Sequence, residues 1–237
     1  MNLKGKNAIV TGGGRGLGKA VALLLAKEGV NIGITGRNEE NLKSTVEELK
    51  GLGIQAFYSI FSMDEETAVQ NGIANLAKDL GGIDILINNA GIGDFGSIAE
   101  MPSETWEQVI KTNLFGVYYA AKAVYPFLKE KGEGDVVNVA STAGLKGGPN
   151  MSAYAASKAA VVSLSQSMMA EWRKENIRVI TLTPSTIASD LSLQGGLTDG
   201  NPETVLQPED FAEWVRDILK MNRRALIANG SIFSTNP

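Results

Sequence analysis

Apolar runs too short for helices alternate along this chain with longer stretches of helical spacing, and that alternation limits the fold more than any single residue does. The runs fall at residues 8–11, 31–35, 56–60, 83–88, 136–140 and 177–183, with a shorter one at 225–228. Most are continuously apolar, the pattern of strands covered on both faces. Segments 16–28, 39–51, 65–80, 103–131, 152–176 and 208–221 lie between them and read as helices. Strand–helix alternation calls for a parallel sheet with helices on both faces. The expectation is an α/β protein: one doubly wound, Rossmann-type domain over residues 1–237, with a sheet of about seven strands. No linker or repeat divides it. Residues 185–207 form a long irregular stretch rich in Gly, Ser, Thr, Asn and Pro. Such a loop in a compact domain is commonly functional. It follows the carboxyl end of a strand, where sheets of this kind bind ligands, and it is expected to be a substrate lid.

Composition narrows the chemistry. A net charge of −4 gives no broad positive field, so nucleic acid is not an expected partner. No apolar stretch reaches the ~18 residues of a membrane span. Residues 1–6 lack the charged-then-apolar pattern of a signal peptide, so the expected compartment is the cytoplasm. The absence of Cys and His is sharper evidence. It removes disulfides, thiolate nucleophiles and the usual transition-metal ligands, and no metal centre is expected. It also removes the Ser-His-Asp triad and the commonest general base. Acid–base chemistry near neutral pH falls to a retuned Tyr, Lys, Asp or Glu.

The first strand runs into Gly12-Gly13-Gly14-Arg15-Gly16-Leu17-Gly18, and a helix follows. Glycines in that place let the backbone turn tightly against a pyrophosphate at the helix N-terminus. No Gly-Lys-Ser/Thr closes the loop, so it is not a Walker-A turn. The pattern points to a dinucleotide. Where NAD-binding sheets carry an acidic residue after the second strand, this chain has Gly36 and Arg37. A guanidinium pairs with a 2′-phosphate that a carboxylate would repel. Arg15 can add a second positive charge, and the expected cofactor is NADP(H).

Tyr154 and Lys158 stand four apart in a helical segment and share one face. Ser141 follows the strand at 136–140, and Asn113 lies within 103–131. With His absent, Tyr154 is the expected proton donor. A phenol ionises near pH ~10, so it needs a neighbouring ammonium to favour phenolate.

Taken together, Thr11-Gly12, Arg15-Gly16-Leu17-Gly18, Asn88-Asn89-Ala90-Gly91, Asn113, Ser141 and Tyr154-Ala155-Ala156-Ser157-Lys158 resemble the short-chain dehydrogenase/reductase family. The match runs in order over residues 4–190 and is most similar to bacterial 3-oxoacyl-[acyl-carrier-protein] reductase-like members. The resemblance implies that Tyr154 is the catalytic acid/base and that Lys158 lowers its pKa and holds the nicotinamide ribose. It implies that Ser141 bonds the substrate carbonyl and that Asn113 anchors a proton-relay water. Asn89, Ala90 and Gly91 would line the adenosine ribose side. The family's Asp-Val after the third strand is replaced by Ser62-Met63, where Ser62 can still reach adenine. Its Pro-Gly-x-x-x-Thr is replaced by Pro184-Ser185-Thr186-Ile187-Ala188-Ser189, where Pro184, Ile187 and the Ser189 hydroxyl would meet the cofactor. Residues 230–237 lack the family's common Asp-Gly-Gly ending. The resemblance also implies a homotetramer, or failing that a dimer, and the small faces Tyr119-Ala120-Ala121 and Ala159-Ala160 would pack between subunits.

Substrate is open at this level. Asp94, Phe95, Leu145, Met151 and Leu191 are pocket candidates by proximity to the motifs. An acyl carrier protein is acidic and should meet a basic patch, yet residues 129–135 and 171–175 are mixed in charge. A reductase of small ketones, diketones or sugars is the rival reading. A non-catalytic NADP(H) sensor is a remote one, because Tyr154 and Lys158 are both present. Trp106, Trp172 and Trp214 read as packing residues, and Asp64-Glu65-Glu66 reads as charge suited to a helix N-terminus.

Overall fold

Seven parallel strands form one sheet in the order β3-β2-β1-β4-β5-β6-β7 in the computed structural model, which describes residues 1–235. Residues 236 and 237, the end of the expected domain and of its divergent C-terminal stretch, lie outside the described residues. The strands are β1 (Asn7–Thr11), β2 (Asn31–Gly36), β3 (Ala56–Ile60), β4 (Ile85–Asn88), β5 (Gly134–Val139), β6 (Ile177–Pro184) and β7 (Asn229–Ile232). The helices are α1 (Gly16–Lys27), α2 (Glu39–Gly51), α3 (Glu66–Leu80), α4 (Ser103–Ile110), α5 (Gly116–Lys131), α6 (Ser152–Trp172), α7 (Asp190–Gln194) and α8 (Pro208–Lys220).

The continuous apolar runs are explained by two separate cores. In β1, Ala8 and Val10 join the core beneath α1, α2 and α8, whereas Ile9 joins the core beneath α3 and α5. The same alternation recurs in β4, where Ile85 and Ile87 face one way and Leu86 the other, and in β6. Strand side chains alternate between faces, so a sheet covered on both sides must be apolar at every position. After β3 the chain crosses back to place β4 on the far side of β1. The strand order reverses between β1 and β4, and the crevice above their carboxyl ends is the ligand-binding place of such sheets.

Four sequence expectations change. The helix expected over 103–131 is α4 and α5 joined by a π-helical segment, Lys111–Phe115. There the Gly116 amide donates to Lys111 O, a wider turn that hydrophobic periodicity does not reveal. The last strand is Asn229–Ile232, not 225–228. The Arg178 guanidinium donates to Met221 O and Ala225 O at 3.2 and 3.4 Å, which keeps Ala225 out of the ladder, while Leu226 and Ile227 pack on the core. Residues 185–207 are not wholly irregular, because α7 interrupts them, capped by Ser189. Finally, Ala120 and Ala121 are buried inside this chain's own core and are not free for subunit packing.

Candidate active site

The glycine turn is shaped by collisions that a side chain would cause. Gly12 has φ +68°, and a Cβ there would lie 3.1 Å from Ala90 Cα. A Cβ on Gly18 would lie 2.3 Å from Gly12 O, so α1 can approach the turn only with hydrogen at that position. Gly18 therefore faces the turn from behind and does not line the cleft; it serves helix–strand packing. Thr11 and Asn89 stitch the turn to β4. The Asn89 and Ala90 amides each donate to Thr11 Oγ1 at 3.0 Å, and Asn89 Nδ2 donates to Thr11 O at 3.0 Å. The first turn of α1 holds no acidic residue, so its free amides present positive charge to the cleft. These features fit a pyrophosphate.

One cleft of about 1150 Å³ collects nearly all the sequence candidates. Gly12, Gly14, Arg15, Gly16 and Leu17 line it from the turn, and Arg37, Ser62 and Met63 from the ends of β2 and β3. Asn89, Ala90 and Gly91 line its middle, with Ser141, Tyr154, Lys158, Pro184, Ile187 and Ser189 at the far end. Arg37 is exposed on the cleft wall, near enough for its charge to be felt by the Asp64 carboxylate. The Arg15 Nη1 lies 3.0 Å from Asp190 Oδ2, a solvent-exposed pair that joins the turn to α7. Ser62 also interacts with Asp64, and hydrogen bonds from Ser62 and Gln108 hold that carboxyl below its ordinary range.

Asn113, like Gly18, lies outside the cleft. Its side chain is fully buried, accepting from the Ile92 amide at 2.8 Å and donating to Ile92 O at 2.9 Å and Ser157 Oγ at 3.0 Å. The amide is thus committed to fixing the backbone just after Gly91 and the helix that carries Tyr154. Lys158 is 5% exposed and donates to Val139 O at 2.8 Å. Burial alone pushes its ammonium down to about 8. Its Nζ stands 5.7 Å from the Tyr154 ring centroid. Burial pushes the Tyr154 phenol above its ordinary value, opposed by a hydrogen bond with Ser141. In the chain alone, then, burial outweighs the Ser141 bond, and the lowering expected from Lys158 does not act on the phenol. Ser141 also accepts from the Ala143 amide at 3.1 Å, which fixes its side chain at the end of β5.

Of the pocket candidates, Phe95, Leu145, Met151 and Leu191 line the cleft near Tyr154; Asp94 does not. Sequence reasoning missed Ile92, Thr142, Leu197 and Phe233. Ile92 and Thr142 are one residue beyond a motif and could have been found by adjacency. Leu197 and Phe233 come from distant loops and carry no local signal. Trp172 stacks on Tyr125 at 4.8 Å and Trp214 meets Phe211 edge-on at 6.1 Å, so both are packing residues.

A dinucleotide cradle at the switch point, with Tyr, Lys and Ser gathered at its far end, defines an oxidoreductase of the Rossmann type. Residues 6–196 match the short chain dehydrogenase family, and the chain belongs to it. It is 31% identical over 214 residues to gluconate 5-dehydrogenase of Gluconobacter oxydans, covering 90% of this chain and 80% of the relative. It is 34% identical over 192 residues to the 3-oxoacyl-[acyl-carrier-protein] reductase of Thermotoga maritima, covering 81% and 78%. Among solved structures, the alcohol dehydrogenase of Thermococcus sibiricus complexed with 5-hydroxy-NADP superposes with TM-score 0.90 at 27% identity, covering 98% of this chain and 97% of that one.

Proposed function

We propose that this oxidoreductase is a cytoplasmic NADPH-dependent carbonyl reductase whose substrate is a 3-oxoacyl thioester. The observation that carries the reading is the wall beside Tyr154, made by Phe95, Leu145, Met151, Leu191, Leu197 and Phe233. Such a wall stabilises a hydrocarbon chain at roughly 25 cal/mol per Å² covered. The wall itself offers no partners to the hydroxyls of a sugar acid, which would have to turn to Thr142 and Lys146 elsewhere in the cleft. Between the activities of the two relatives, the wall favours the acyl substrate.

NADPH, when bound, supplies a hydride to the carbonyl carbon. Arg37 and Arg15 would hold the 2′-phosphate, and the turn and the α1 amides the pyrophosphate. Ser141 would donate to the carbonyl oxygen, and Tyr154 would give that oxygen its proton as charge builds there, turning a 3-oxo group into a 3-hydroxy group. Lys158 would favour the resulting phenolate and bond the nicotinamide ribose, while Asn113 steadies Ile92 beside them. Residues 185–207 would close over the substrate. Assembly into a homotetramer, or a dimer, would cover Phe115 and Tyr118, which are 42% and 45% exposed.

Reduction of free ketones or diketones is the second reading. It is favoured by the charge pairing at the end of α5, where Lys129 meets Glu175 at 3.2 Å and Lys131 meets Asp84. That pairing leaves little positive field there for an acidic carrier protein. The test follows NADPH oxidation with the 3-oxobutanoyl thioester of N-acetylcysteamine, a cyclic diketone and a free ketose. Turnover highest on the thioester is the expected result. Turnover confined to the diketone moves the assignment to the second reading, and a preference for the ketose overturns the argument from the wall.

A further inference from the structure

Phe95 stands between the catalytic helix and α7 in a space made for it. Its ring meets the Tyr154 ring edge-on, with centroids 5.8 Å apart and planes at 63°. On its other side are two glycines. A Cβ on Gly93 would lie 2.9 Å from Phe95 Cζ, and one on Gly195 would lie 2.8 Å from Phe95 Cε2. Neither glycine has a positive φ; Gly195, which ends α7, has φ −77°. At Gly93 only the side chains of Phe95 and Leu191 stand in the way of a Cβ, whereas at Gly195 the Leu191 carbonyl oxygen, 2.9 Å away, excludes one together with the ring. Leu191 of α7 borders the same space, 3.2 Å from the position of a Gly93 Cβ. The loop that carries Phe95 is itself fixed, because the Gly96 amide donates to Asn150 O at 2.8 Å and Gly96 pairs with Met151, the residue before α6.

We infer that Phe95 is a positioning residue through which the seating of α7 against the cleft sets the angle of the Tyr154 phenol. The inference rests on the reading of Tyr154 as proton donor. A ring wedged between two elements passes a shift of one to the other because close-packed contacts do not yield smoothly. When residues 190–195 lie as they do here, the ring edge holds the phenol toward Ser141. When they move away, the phenol loses that support.

The test compares Phe95→Ala, Phe95→Leu, Gly93→Ala and the Gly93→Ala/Phe95→Leu double variant on the best-reduced carbonyl of the three above. Misplacement of a reacting group by about 1 Å costs up to ~100-fold, so kcat should fall roughly ten- to a hundredfold in Phe95→Ala and less in Phe95→Leu. NADPH affinity, read by fluorescence titration, should not change, because Phe95 lies at the far end from the glycine turn. Gly93→Ala presses only on the side chains of Phe95 and Leu191. The loss in the double variant should therefore be smaller than the product of the single losses. A raised KM with wild-type kcat would make Phe95 a substrate wall only and overturn the inference. Multiplying losses, or a parallel loss of NADPH affinity, would overturn it too. Tyr154→Phe runs alongside: full turnover in that variant would overturn the proton-donor reading itself, a result none of the Phe95 variants can imitate.

Discussion

The two ends of the cleft are built differently. At the glycine-turn end, every wall is the end of a strand or the start of a helix. The positions of Gly12, Asn89 and Gly18 follow from sheet register and from collisions of 2.3 to 3.1 Å that any Cβ would cause. At the Tyr154 end the fixed elements contribute Ser141, Tyr154 and Lys158. The remaining walls are loops and the short helix α7, with Leu145 57% and Phe233 61% exposed. A backbone-made site tolerates little change, whereas a loop-made site can alter its side chains without disturbing the sheet. The contrast explains how one scaffold fits both a gluconate 5-dehydrogenase and a 3-oxoacyl-[acyl-carrier-protein] reductase among its relatives.

Lys158 joins the two ends, and its replacement should have the largest effect. Lys158→Met is expected to lower kcat by roughly 10²- to 10⁴-fold. It should at the same time stabilise the fold. Burial pushes the ammonium from 10.5 down to about 8. Between those values the unfolded chain binds more protons, so stability rises as pH climbs from 8 to 10.5. The full penalty, about 3 kcal/mol, applies below pH 8. Removing the charge lifts that penalty, less about 1.5 to 3 kcal/mol for the lost charged bond to Val139 O, a net gain of up to about 1.5 kcal/mol. Thermal unfolding at pH 7 should show a higher Tm and a weaker pH dependence; a lower Tm would mean that Lys158 is not held at a cost. Next in size is Arg37→Ala. Loss of a charged hydrogen bond of about 1.5 to 3 kcal/mol should weaken NADPH binding by roughly ten- to a hundredfold and leave NADH binding as it was. An equal loss for both nucleotides would remove Arg37 from 2′-phosphate recognition. The smallest effect belongs to the loop-made end. Leu197→Ala and Phe233→Ala should each raise KM severalfold, about 1 kcal/mol of lost apolar contact, with unchanged NADPH affinity. A loss of NADPH affinity in either would erase the distinction between the ends.

The same contrast governs what the amino-acid sequence discloses. The sheet, its two-sided burial and the glycine turn were legible because each is a local pattern with a local cause. The Tyr154–Lys158 pair was legible as a helix face, and Ser141 as the residue just past a strand end. The π-helical segment around Asn113 was not, since its apolar spacing resembles that of an ordinary helix. The last strand was displaced because a distant side chain, Arg178, takes the carbonyl of Ala225. Leu197 and Phe233 reach the cleft only through tertiary folding, and the Ala120-Ala121 face was misread because small residues suit intrachain packing as well as subunit contact.

The central claim is that Tyr154 gives the substrate its proton at a cofactor site that stands without it. Tyr154→Phe measures this most directly, with NADPH affinity and carbonyl reduction followed on the same preparation. The account predicts wild-type NADPH affinity and a kcat reduced by at least about 100-fold. Reduction at the wild-type rate with NADPH bound as tightly would contradict it.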